Sequence, residues 1–557
     1  MTAAAGTEAT TLVDLLSAAI EGHGEQPALI ERDGEHVRAL TFAEVGGAVA
    51  RLAGELRSRG VGRGDVVGVW LPNWSEAVVW EFALAAVGAA ALGINTRYGV
   101  HELTHLLDQA RPVGVVVPAE FLELDFAGRL RSAASAAGGG SAPWVAIVRG
   151  DGAQAEAFDV GGRTWRPAAL DERGDGGGGA AQLENAGERT DPVNYFTTSG
   201  STGMPKLAGH DQASVAIHCR AVAGAMSMRP GDRFLAVLPL SGVFGFNPAM
   251  AMLGAGGACL LEPVFKPEVV LGDMDAQGVT HVVGGDDLFG RLMDAWRATG
   301  EGDRPALSRF RRGGIADFAG RSREIVEWAE REFGAHVSGV YGSSELFSLT
   351  SVWPEGLDLE SRARGGGIVV SQDLEVRAAD PQHGEPCAPE AVGELQFRGY
   401  NVVCGYLGEQ AAAKHAFTAD GWFRSGDLGF VLAQRGAFVY VCRAGDALRL
   451  RGFLVEPAEI ERFLASHPDV STAKVVGVPS SEGSELAVAY VQLVEGAQAS
   501  SESLIAFCRE RLAAFKVPAH INVIEEFPVT TGTNGTKIRT AELRRWAEQQ
   551  VAEETHR

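Results

Sequence analysis

The strongest chemical signal in the chain is a run of hydroxyl residues and glycines that ends in a lysine. It reads Thr198-Ser199-Gly200-Ser201-Thr202-Gly203-Met204-Pro205-Lys206 and follows an apolar stretch, residues 193–197, that predicts a short strand. Glycines let the backbone approach an anion closely, hydroxyls donate hydrogen bonds, and the lysine adds positive charge. The run therefore predicts a site for the β- and γ-phosphates of a nucleotide. It is not a Walker loop, because the terminal Gly-Lys-Ser/Thr and the following helix start are missing.

Further residues that could contact a nucleotide lie in four short motifs downstream. Val340-Tyr341-Gly342-Ser343-Ser344-Glu345 places a ring, two hydroxyls and a carboxylate at the end of a predicted strand. Gly421–Gly429 encloses an aspartate in a glycine frame, and a carboxylate is a good acceptor for both hydroxyls of a ribose. Arg443–Asp446 and Thr533–Ile538 then supply an arginine and a C-terminal lysine. The residue types are those that bind the parts of a nucleotide.

In this order the motifs resemble those of the adenylate-forming superfamily, which comprises acyl-CoA synthetases, carrier-protein adenylation domains and beetle luciferases. Thr198–Lys206 resembles its phosphate loop, and Leu71–Asn73 resembles part of its N-terminal region. The resemblance covers most of the chain and implies an α/β fold. A large domain of stacked α/β layers with a β-rich section is expected over residues 1–445. A small, mobile α+β domain is expected over residues 446–557.

The resemblance also implies a role for each motif residue. Tyr341 would stack on adenine, Ser344 would contact the α-phosphate region, and Glu345 would be a catalytic residue that holds Mg²⁺. A hard cation that bridges phosphates needs only one or two protein carboxylates. Asp427 would bind the ribose hydroxyls, and Arg443 the ribose or a phosphate.

The C-terminal motifs imply a domain that moves between two half-reactions. Asp446 would be the hinge, and the second catalytic residue, Lys537, would reach the α-phosphate and the carboxylate during adenylation. There its ammonium would stabilise the charge that builds on the transferred group. Rotation would withdraw Lys537 and present Gly452 to a pantetheine tunnel. Thr536 stands before this lysine where the family often has glycine, and Cys442 stands before Arg443 where glycine is usual.

The nucleotide site predicted in this way is larger than the residues with named roles. Ala316 and Asp317 join it because Arg312–Phe318 occupies the place of a segment that lies against adenine in relatives. The predicted nucleotide-binding set is Thr198, Ser199, Gly200, Ser201, Thr202, Gly203, Lys206, Ala316, Asp317, Tyr341, Gly342, Ser343, Ser344, Asp427 and Arg443.

One departure from the family concerns the acyl pocket. Ser241 and Gly242 stand where many relatives have an aromatic residue followed by histidine. Small residues there widen the space near the carboxylate, which favours a bulky acid: aryl, alicyclic or polycyclic, including a terpenoid. The alternative is that Phe244 or Phe246 refills the space, since protein interiors close voids.

The implied activity is that of an acid–thiol ligase. ATP would adenylate a carboxylic acid with release of pyrophosphate, and coenzyme A would then accept the acyl group. A ligase that loads a free-standing carrier protein is the alternative. The absence of an aspartate at Phe234 or Leu235 disfavours an amino acid as substrate. The sequence leaves the oligomeric state, a homodimer included, open.

The elements that must hold these motifs alternate in the first part of the chain. Residues 66–71 predict a buried strand, Glu76–Ala91 a packed helix, and Val113–Val117 another strand. Such alternation predicts an α/β layered fold. Shorter strand patterns at Gly393–Arg398 and Ala437–Val441 predict the β-rich section.

Composition limits the protein class. At 557 residues the chain exceeds one ordinary core, so more than one domain is expected. The 49 basic and 71 acidic residues give a net charge of −22, which disfavours binding to nucleic acid. Six scattered cysteines are typical of reduced thiols, and no apolar run is long enough to span a bilayer. We expect a cytoplasmic enzyme that does not span a membrane.

Overall fold

The chain folds into a large N-terminal domain and a small C-terminal domain, both of which mix helices with strands. The computed structural model describes residues 10–555 except 34–35, 139–141, 151–156, 162, 169, 171–182, 199–204, 319, 382, 409–415, 447, 451–452, 456, 480–484 and 533–534. The predicted α/β class is observed. The boundary after residue 445 and the mobility of the small domain remain predictions.

The helix over Ser75–Val87 is buried on all sides, whereas the helix over Phe42–Ser58 has one buried face and one exposed face. That helix, Phe42–Ser58, begins with a capping box: the hydroxyl of Thr41 accepts from the Glu44 amide at 3.2 Å, and the Glu44 carboxylate accepts from the Thr41 amide at 2.9 Å. The helices of the described residues are α1 Leu12–His23, α2 Phe42–Ser58, α3 Ser75–Val87, α4 Val100–Ala110, α5 Phe126–Ala136, α6 Gln212–Ala225, α7 Val243–Gly254, α8 Pro267–Ala276, α9 Asp286–Ala298, α10 Ser322–Phe333, α11 Leu359–Arg362, α12 Pro457–Ala465, α13 Ser501–Arg511 and α14 Thr540–Thr555.

The strands of the large domain come first along the chain, and those of the small domain follow. In the large domain they are β1 Pro27–Asp33, β2 His36–Thr41, β3 Val66–Val69, β4 Ala90–Gly93, β5 Gly114–Pro118, β6 Trp144–Val148, β7 Thr164–Trp165, β8 Pro192–Thr197, β9 Leu207–Asp211, β10 Arg233–Ala236, β11 Ala258–Leu261, β12 His281–Gly285, β13 Arg312–Ala316, β14 His336–Tyr341, β15 Ser351–Val352, β16 Gly366–Val369, β17 Glu375–Ala379, β18 Gly393–Arg398, β19 Gly405–Tyr406, β20 Phe423–Val431 and β21 Ala437–Arg443. In the small domain they are β22 Leu448–Leu450, β23 Phe453–Val455, β24 Val470–Pro479, β25 Glu485–Leu493, β26 His520–Val523, β27 Val529–Gly532 and β28 Gly535–Ile538.

The predicted helix over Glu76–Ala91 is too long. Helix α3 ends at Val87 because Gly88 adopts a left-handed conformation, with φ of +80°, and its amide bonds back to the last turn. The next residues form strand β4, which pairs in parallel with β3. The strand predicted over residues 66–71 likewise stops at Val69.

Two sheets of the large domain meet at the site that the motifs predict. One sheet has the order β19-β9-β8-β4-β3-β5-β6-β7, and the other has the order β17-β18-β20-β21-β16-β15-β14-β13-β12-β10-β11-β1-β2. Strands β11, β10, β12, β13 and β14 run parallel, so their carboxyl ends lie at one edge. Ligands of open α/β sheets bind outside that edge.

The small domain has its own core. Its main sheet has the order β23-β22-β25-β24, with β26 on β25, and buries Leu448, Ile460, Val475 and Leu504 among others. Strands β27 and β28 form a separate hairpin. None of the helices in the described parts of either domain combines the length and apolarity needed to cross a membrane.

Candidate functional site

The two ends of the predicted phosphate loop are tied together by the backbone. The amide of Thr198 donates to the carbonyl of Lys206 at 2.9 Å, which extends the antiparallel pairing of β8 with β9. Ser199, Gly200, Ser201, Thr202 and Gly203 lie outside the described residues. The structure therefore fixes where the segment leaves and re-enters the sheet.

The lysine of this loop and the predicted magnesium ligand meet at one tyrosine. The ammonium of Lys206 lies 5.2 Å from the ring centroid of Tyr406, a cation–π arrangement. The hydroxyl of Tyr406 donates to Glu345 Oε1 at 3.2 Å. Strand β19 places Tyr406 there by pairing with β9, opposite Ala208. A cation and a carboxylate that lie 139 positions apart in sequence are thus brought to the same side chain.

A second cluster joins the remaining motifs. The hydroxyl of Tyr341, at the end of β14, donates to Asp427 Oδ2 at 2.6 Å. Arg443 Nη1 donates to Asp427 Oδ1 at 2.7 Å and to the carbonyl of Ser425 at 3.0 Å. Asp427 and Arg443 are direct partners across β20 and β21. The three motif residues form one connected hydrogen-bonded group.

The ring of Tyr341 is held by aromatic neighbours. It stacks on Phe397 with centroids 5.3 Å apart and an interplanar angle of 17°, and Phe438 meets it edge-on. Burial, together with the neighbouring carboxylate of Asp427, raises the pKa of Tyr341 well above its usual value. The hydroxyl is therefore a permanent donor to Asp427 at neutral pH.

The residues between Tyr341 and Glu345 sit in a tight backbone turn. A Cβ on Gly342 would lie 2.6 Å from the amide nitrogen of Leu349, so only glycine fits. Ser344 Oγ donates to the Thr197 carbonyl at 3.3 Å, which links this motif to the phosphate-loop strand. The buried hydroxyl of Ser343 has no hydrogen-bond partner among the described residues.

The turn that follows Glu345 is strained. Phe347, Ser348 and Leu349 have φ of +53°, +58° and +32°, a left-handed backbone conformation that residues other than glycine rarely adopt. Each such residue costs about 1–3 kcal/mol and persists only where the surroundings impose it. Strain of this kind clusters at functional sites.

Four buried side chains hold the turn and the residues just before it by donating to backbone carbonyls between Ser344 and Ser348. The donors come from β9, α6, α7 and the segment before β19, so the turn is fixed from several elements at once. The bonds are His210 Nε2 to Ser344 at 2.7 Å, Asn401 Nδ2 to Leu346 at 2.9 Å, Asn247 Nδ2 to Phe347 at 3.0 Å, and His218 Nε2 to Ser348 at 2.9 Å.

The two histidines are neutral and have defined tautomers. Burial lowers the pKa of His210 and of His218 to about 4. A neutral imidazole has one donor and one acceptor nitrogen. Because each Nε2 faces a carbonyl, it carries the hydrogen, and each Nδ1 is an acceptor. His218 Nδ1 lies 3.3 Å from the hydroxyl of Tyr400, which donates to it.

The predicted acyl-pocket residues lie at the start of α7. Asn73 fixes the segment before them, because its amide bonds the backbone of residues 236–240 at 2.8–3.0 Å. Gly242 is the N-cap of α7, and Ser241 precedes it. Phe246 is fully buried between other rings, whereas Phe244 lies in the first turn of the helix.

The rest of the predicted set is only partly described. Ala316 ends β13, and Asp317 follows it with Oδ1 accepting from the Gly320 amide at 3.0 Å. At the predicted hinge, Asp446 accepts from Arg544 at 3.1 Å. Gly452 lies outside the described residues. Lys537 belongs to β28, and its side chain is likewise outside the described part of the chain.

Sequence reasoning missed the residues that hold the site together. They have no glycine frame and no fixed spacing from the motifs. Asn247 left one signal, since it is a polar residue followed by proline inside an otherwise apolar helix. His210 left another, as a histidine that follows the buried Leu207, Ala208 and Gly209 in a strand. The missed residues are His210, His218, Asn247, Asn401 and Tyr406.

The chain matches a known family along most of its length. Residues 16–407 match the family described as AMP-binding enzyme, and residues 459–533 match the AMP-binding enzyme C-terminal domain. The two matches fall on the large and the small domain.

Individual relatives match across nearly the whole chain. The 3-[(3aS,4S,7aS)-7a-methyl-1,5-dioxo-octahydro-1H-inden-4-yl]propanoyl:CoA ligase of Rhodococcus jostii (strain RHA1) is 30% identical over 527 residues, covering 93% of this chain and 96% of its own. A feruloyl-CoA synthase of an Amycolatopsis species is 31% identical over 516 residues, covering 91% and 94%. ATP-bound MatB of Rhodopseudomonas palustris has the same fold, with a TM-score of 0.80 at 23% identity over 97% of this chain and 99% of that one. The fold predicted from the motifs is confirmed.

Proposed function

The chain belongs to the family of AMP-binding enzymes, and from that premise we propose that it adenylates a carboxylic acid with ATP and transfers the acyl group to coenzyme A. Two of its relatives are named as a CoA ligase and a CoA synthase. Such enzymes are acid–thiol ligases, so the enzyme class predicted from the sequence is confirmed.

One observation carries the proposal: motifs far apart in the chain converge on adjoining hydrogen-bonded clusters. Tyr341, Asp427 and Arg443 form the cluster suited to adenine and ribose. Lys206 and Glu345 flank Tyr406 in the cluster suited to phosphates. The backbone of Ser344 and the strained turn connect the two. These residues have the chemistry to bind each part of ATP.

In the first half-reaction a carboxylate oxygen of the acid attacks the α-phosphorus of ATP. The new bond forms as the bond to the β-phosphate oxygen breaks, and pyrophosphate leaves. Lys206 stabilises the departing phosphates, and Lys537 would stabilise the charge on the α-phosphoryl group. Glu345 is suited to Mg²⁺, since one carboxylate with phosphates and water completes its coordination, and the ion would neutralise phosphate charge.

In the second half-reaction the thiol of coenzyme A attacks the acyl carbonyl of the adenylate. A carbon–sulfur bond forms, the bond to the AMP phosphate oxygen breaks, and the thiol proton leaves to solvent. Rotation of the small domain about Asp446 would remove Lys537 and bring Gly452 beside the pantetheine. One nucleotide site then serves both reactions.

The acid is a bulky aryl or alicyclic one. The Rhodococcus relative is named for an octahydroindenyl propanoyl group and the Amycolatopsis relative for a feruloyl group. Ser241 and Gly242 at the start of α7 support a pocket that is wide near the carboxylate.

The experiment is acid-dependent exchange of labelled pyrophosphate into ATP over acetate, fatty, benzoic, cinnamic, hydroaromatic and polycyclic acids. Each acid that supports exchange is then incubated with ATP and coenzyme A, and the thioester is detected by mass. We expect exchange with a bulky acid, loss of exchange in Lys537→Ala, and thioester formation by the native chain. Exchange without a thioester would overturn coenzyme A as the acceptor and direct the test to a carrier protein. No exchange with any acid would overturn the proposed activity.

A further inference from the structure

Two buried acceptor atoms beside the predicted acyl pocket have no donor in the part of the chain that the structure describes. They are Nδ1 of His210 and Oδ1 of Asn247, and neither finds a hydrogen-bond partner among the described residues. Both residues are 0% exposed. Buried polar atoms are normally satisfied, so an orphaned pair in one region requires an explanation.

The identity of both atoms as acceptors follows from their partners. His210 donates from Nε2 to the Ser344 carbonyl, which leaves Nδ1 with the lone pair. Asn247 donates from Nδ2 to the Phe347 carbonyl, which sets the amide with Oδ1 on the other side. Two hydrogen-bond donors are needed to complete the pair.

The acceptors adjoin the predicted pocket through two rings. The imidazole of His210 packs on Phe347 with centroids 4.9 Å apart, and Phe347 packs on Phe246 at 6.2 Å. Asn247 follows Phe246 on α7 and binds the backbone of Phe347. Both side chains therefore contact Phe347, which packs on Phe246 of the predicted pocket.

His218 supplies an internal comparison. It is equally buried and also donates from Nε2 to the strained turn, but its Nδ1 accepts from Tyr400. The fold thus satisfies an acceptor in this region where no ligand is needed. The difference between His218 and His210 argues that the open acceptor of His210 has a ligand as its partner.

We infer that the acid activated by this enzyme carries a hydroxyl or amino group on its ring system, which donates hydrogen bonds to His210 and Asn247. This inference rests on the proposed function and narrows its substrate to donor-bearing acids. A ketone or an ether at the same place offers only acceptors and leaves both His210 Nδ1 and Asn247 Oδ1 unpaired. Sites built to bond a substrate hydroxyl discriminate strongly against analogues that lack it.

The test compares acids matched in shape and different in donor capacity. One pair is para-hydroxycinnamate and para-methoxycinnamate, and the other is hydroxy- and oxo-cyclohexanecarboxylate. With the full-length enzyme we expect kcat/KM for thioester formation to favour the hydroxy acid by about tenfold or more in at least one pair. Equal values in both pairs, or a preference for the ether or ketone, would overturn the inference.

Variants then test whether His210 and Asn247 cause the preference for the hydroxy acid. His210→Phe keeps the ring packing and Asn247→Leu keeps the volume, and each removes one acceptor. We expect each to bring the ratio of hydroxy acid to analogue to within about threefold of unity. His218→Phe is the control: it removes a similar donor to the turn without touching either open acceptor, so it lowers activity but leaves the ratio unchanged.

The two proposals fail in different ways. Turnover of several acids with no preference for a donor would overturn the inference and leave the ligase activity intact. Failure of all acids in pyrophosphate exchange would overturn both. The melting temperature shows whether each variant folds. If one does not, the inference is still tested by the other variant and by the acid pairs with the native chain.

Discussion

The hydroxyl of Tyr341 and the carboxylate of Asp427 lie 2.6 Å apart, although 86 positions separate them in sequence. The two residues come from motifs that predict different contacts, one with adenine and one with ribose. Because Asp427 also holds Arg443 at 2.7 Å, its carboxylate organises both neighbours. Each carboxylate oxygen has a further lone pair for a ribose hydroxyl. The predicted nucleotide site is therefore organised around Asp427.

Replacing Asp427 should harm nucleotide binding more than replacing its aromatic partner. In Asp427→Asn the charge that holds Arg443 is lost, and we expect AMP affinity to fall about 10- to 100-fold. Tyr341→Phe keeps the ring that stacks on Phe397 and should lower the affinity for AMP by about fivefold or less. Calorimetric titration with AMP measures both. Equal losses in the two variants would contradict a central role for the carboxylate.

Glu345 should control the dependence on Mg²⁺. Glu345→Gln keeps the size of the side chain but removes its charge, so the Mg²⁺ concentration for half-maximal exchange should rise about tenfold or more. Chelation of Mg²⁺ should abolish exchange in the native chain. Tyr406→Phe is the matched control, because it removes the 3.2 Å bond to Glu345 and keeps the carboxylate. An unchanged Mg²⁺ requirement in Glu345→Gln would exclude it as the ligand.

The motif residues could be singled out from the sequence because the pattern that marks them is local. Glycine frames around Asp427 and before Glu345 are typical of positions where the backbone approaches a ligand, and such frames can be read along the chain. The buried residues that donate hydrogen bonds to the backbone around Glu345 could not be identified in this way. His210 and Asn247 bond the carbonyls of Ser344 and Phe347, on either side of Glu345, across 134 and 100 positions, and only tertiary packing brings them there.

The same contrast holds for the fold. Alternating strand and helix patterns predicted the layered large domain, since buried parallel strands form continuous apolar runs. The end of α3 was misjudged because apolar residues continue from the helix into β4, and periodicity alone does not separate a buried helix from a buried strand. The left-handed Gly88 was the available signal.

Asn401 should stabilise both the fold and the site. It is 1% exposed and donates to the Leu346 carbonyl at 2.9 Å, one residue after Glu345. Asn401→Ala leaves that buried carbonyl with only the longer bond from the Thr350 hydroxyl at 3.4 Å, at a cost of about 1–3 kcal/mol. We expect a lower melting temperature together with a lower kcat for exchange.

The control for Asn401 is Asn522→Ala in the small domain, which removes a part-buried amide bond to Gln550. It should shift the melting temperature less and leave kcat for exchange unchanged. A loss of stability in Asn401→Ala without a loss of kcat would assign Asn401 to the fold alone.

Glu81 should make stability depend on pH in the neutral range. Burial raises its pKa to about 8, although Asn194 donates to it at 2.6 Å. Since the folded carboxyl holds its proton more tightly than the unfolded one, its contribution is greatest below about pH 4.5 and declines as pH rises towards 8. Glu81→Gln removes the titration, so its stability relative to the native chain should rise by about 2 kcal/mol between pH 6 and 8.

Denaturant unfolding of the native chain, Glu81→Gln and the exposed control Glu553→Gln at several pH values measures this effect. The control should follow the native chain. A difference between Glu81→Gln and the native chain that stays constant with pH would show that Glu81 is ionised in the folded protein.

Arg544 should influence the relative rates of the two half-reactions. It donates to the Gly445 carbonyl at 2.7 Å and to Asp446 at 3.1 Å, and so ties α14 across the predicted domain boundary. Both partners of the ion pair are about one-third exposed, so the pair contributes only about 0–1 kcal/mol. Arg544→Ala should therefore shift the rates of exchange and of thioester formation from preformed acyl-adenylate by up to about fivefold, in opposite directions. The adjacent exposed Arg545 gives the control Arg545→Ala, which should change neither rate. Parallel loss of both rates in Arg544→Ala would mean that the arginine supports the small domain's fold and leaves its orientation unaffected.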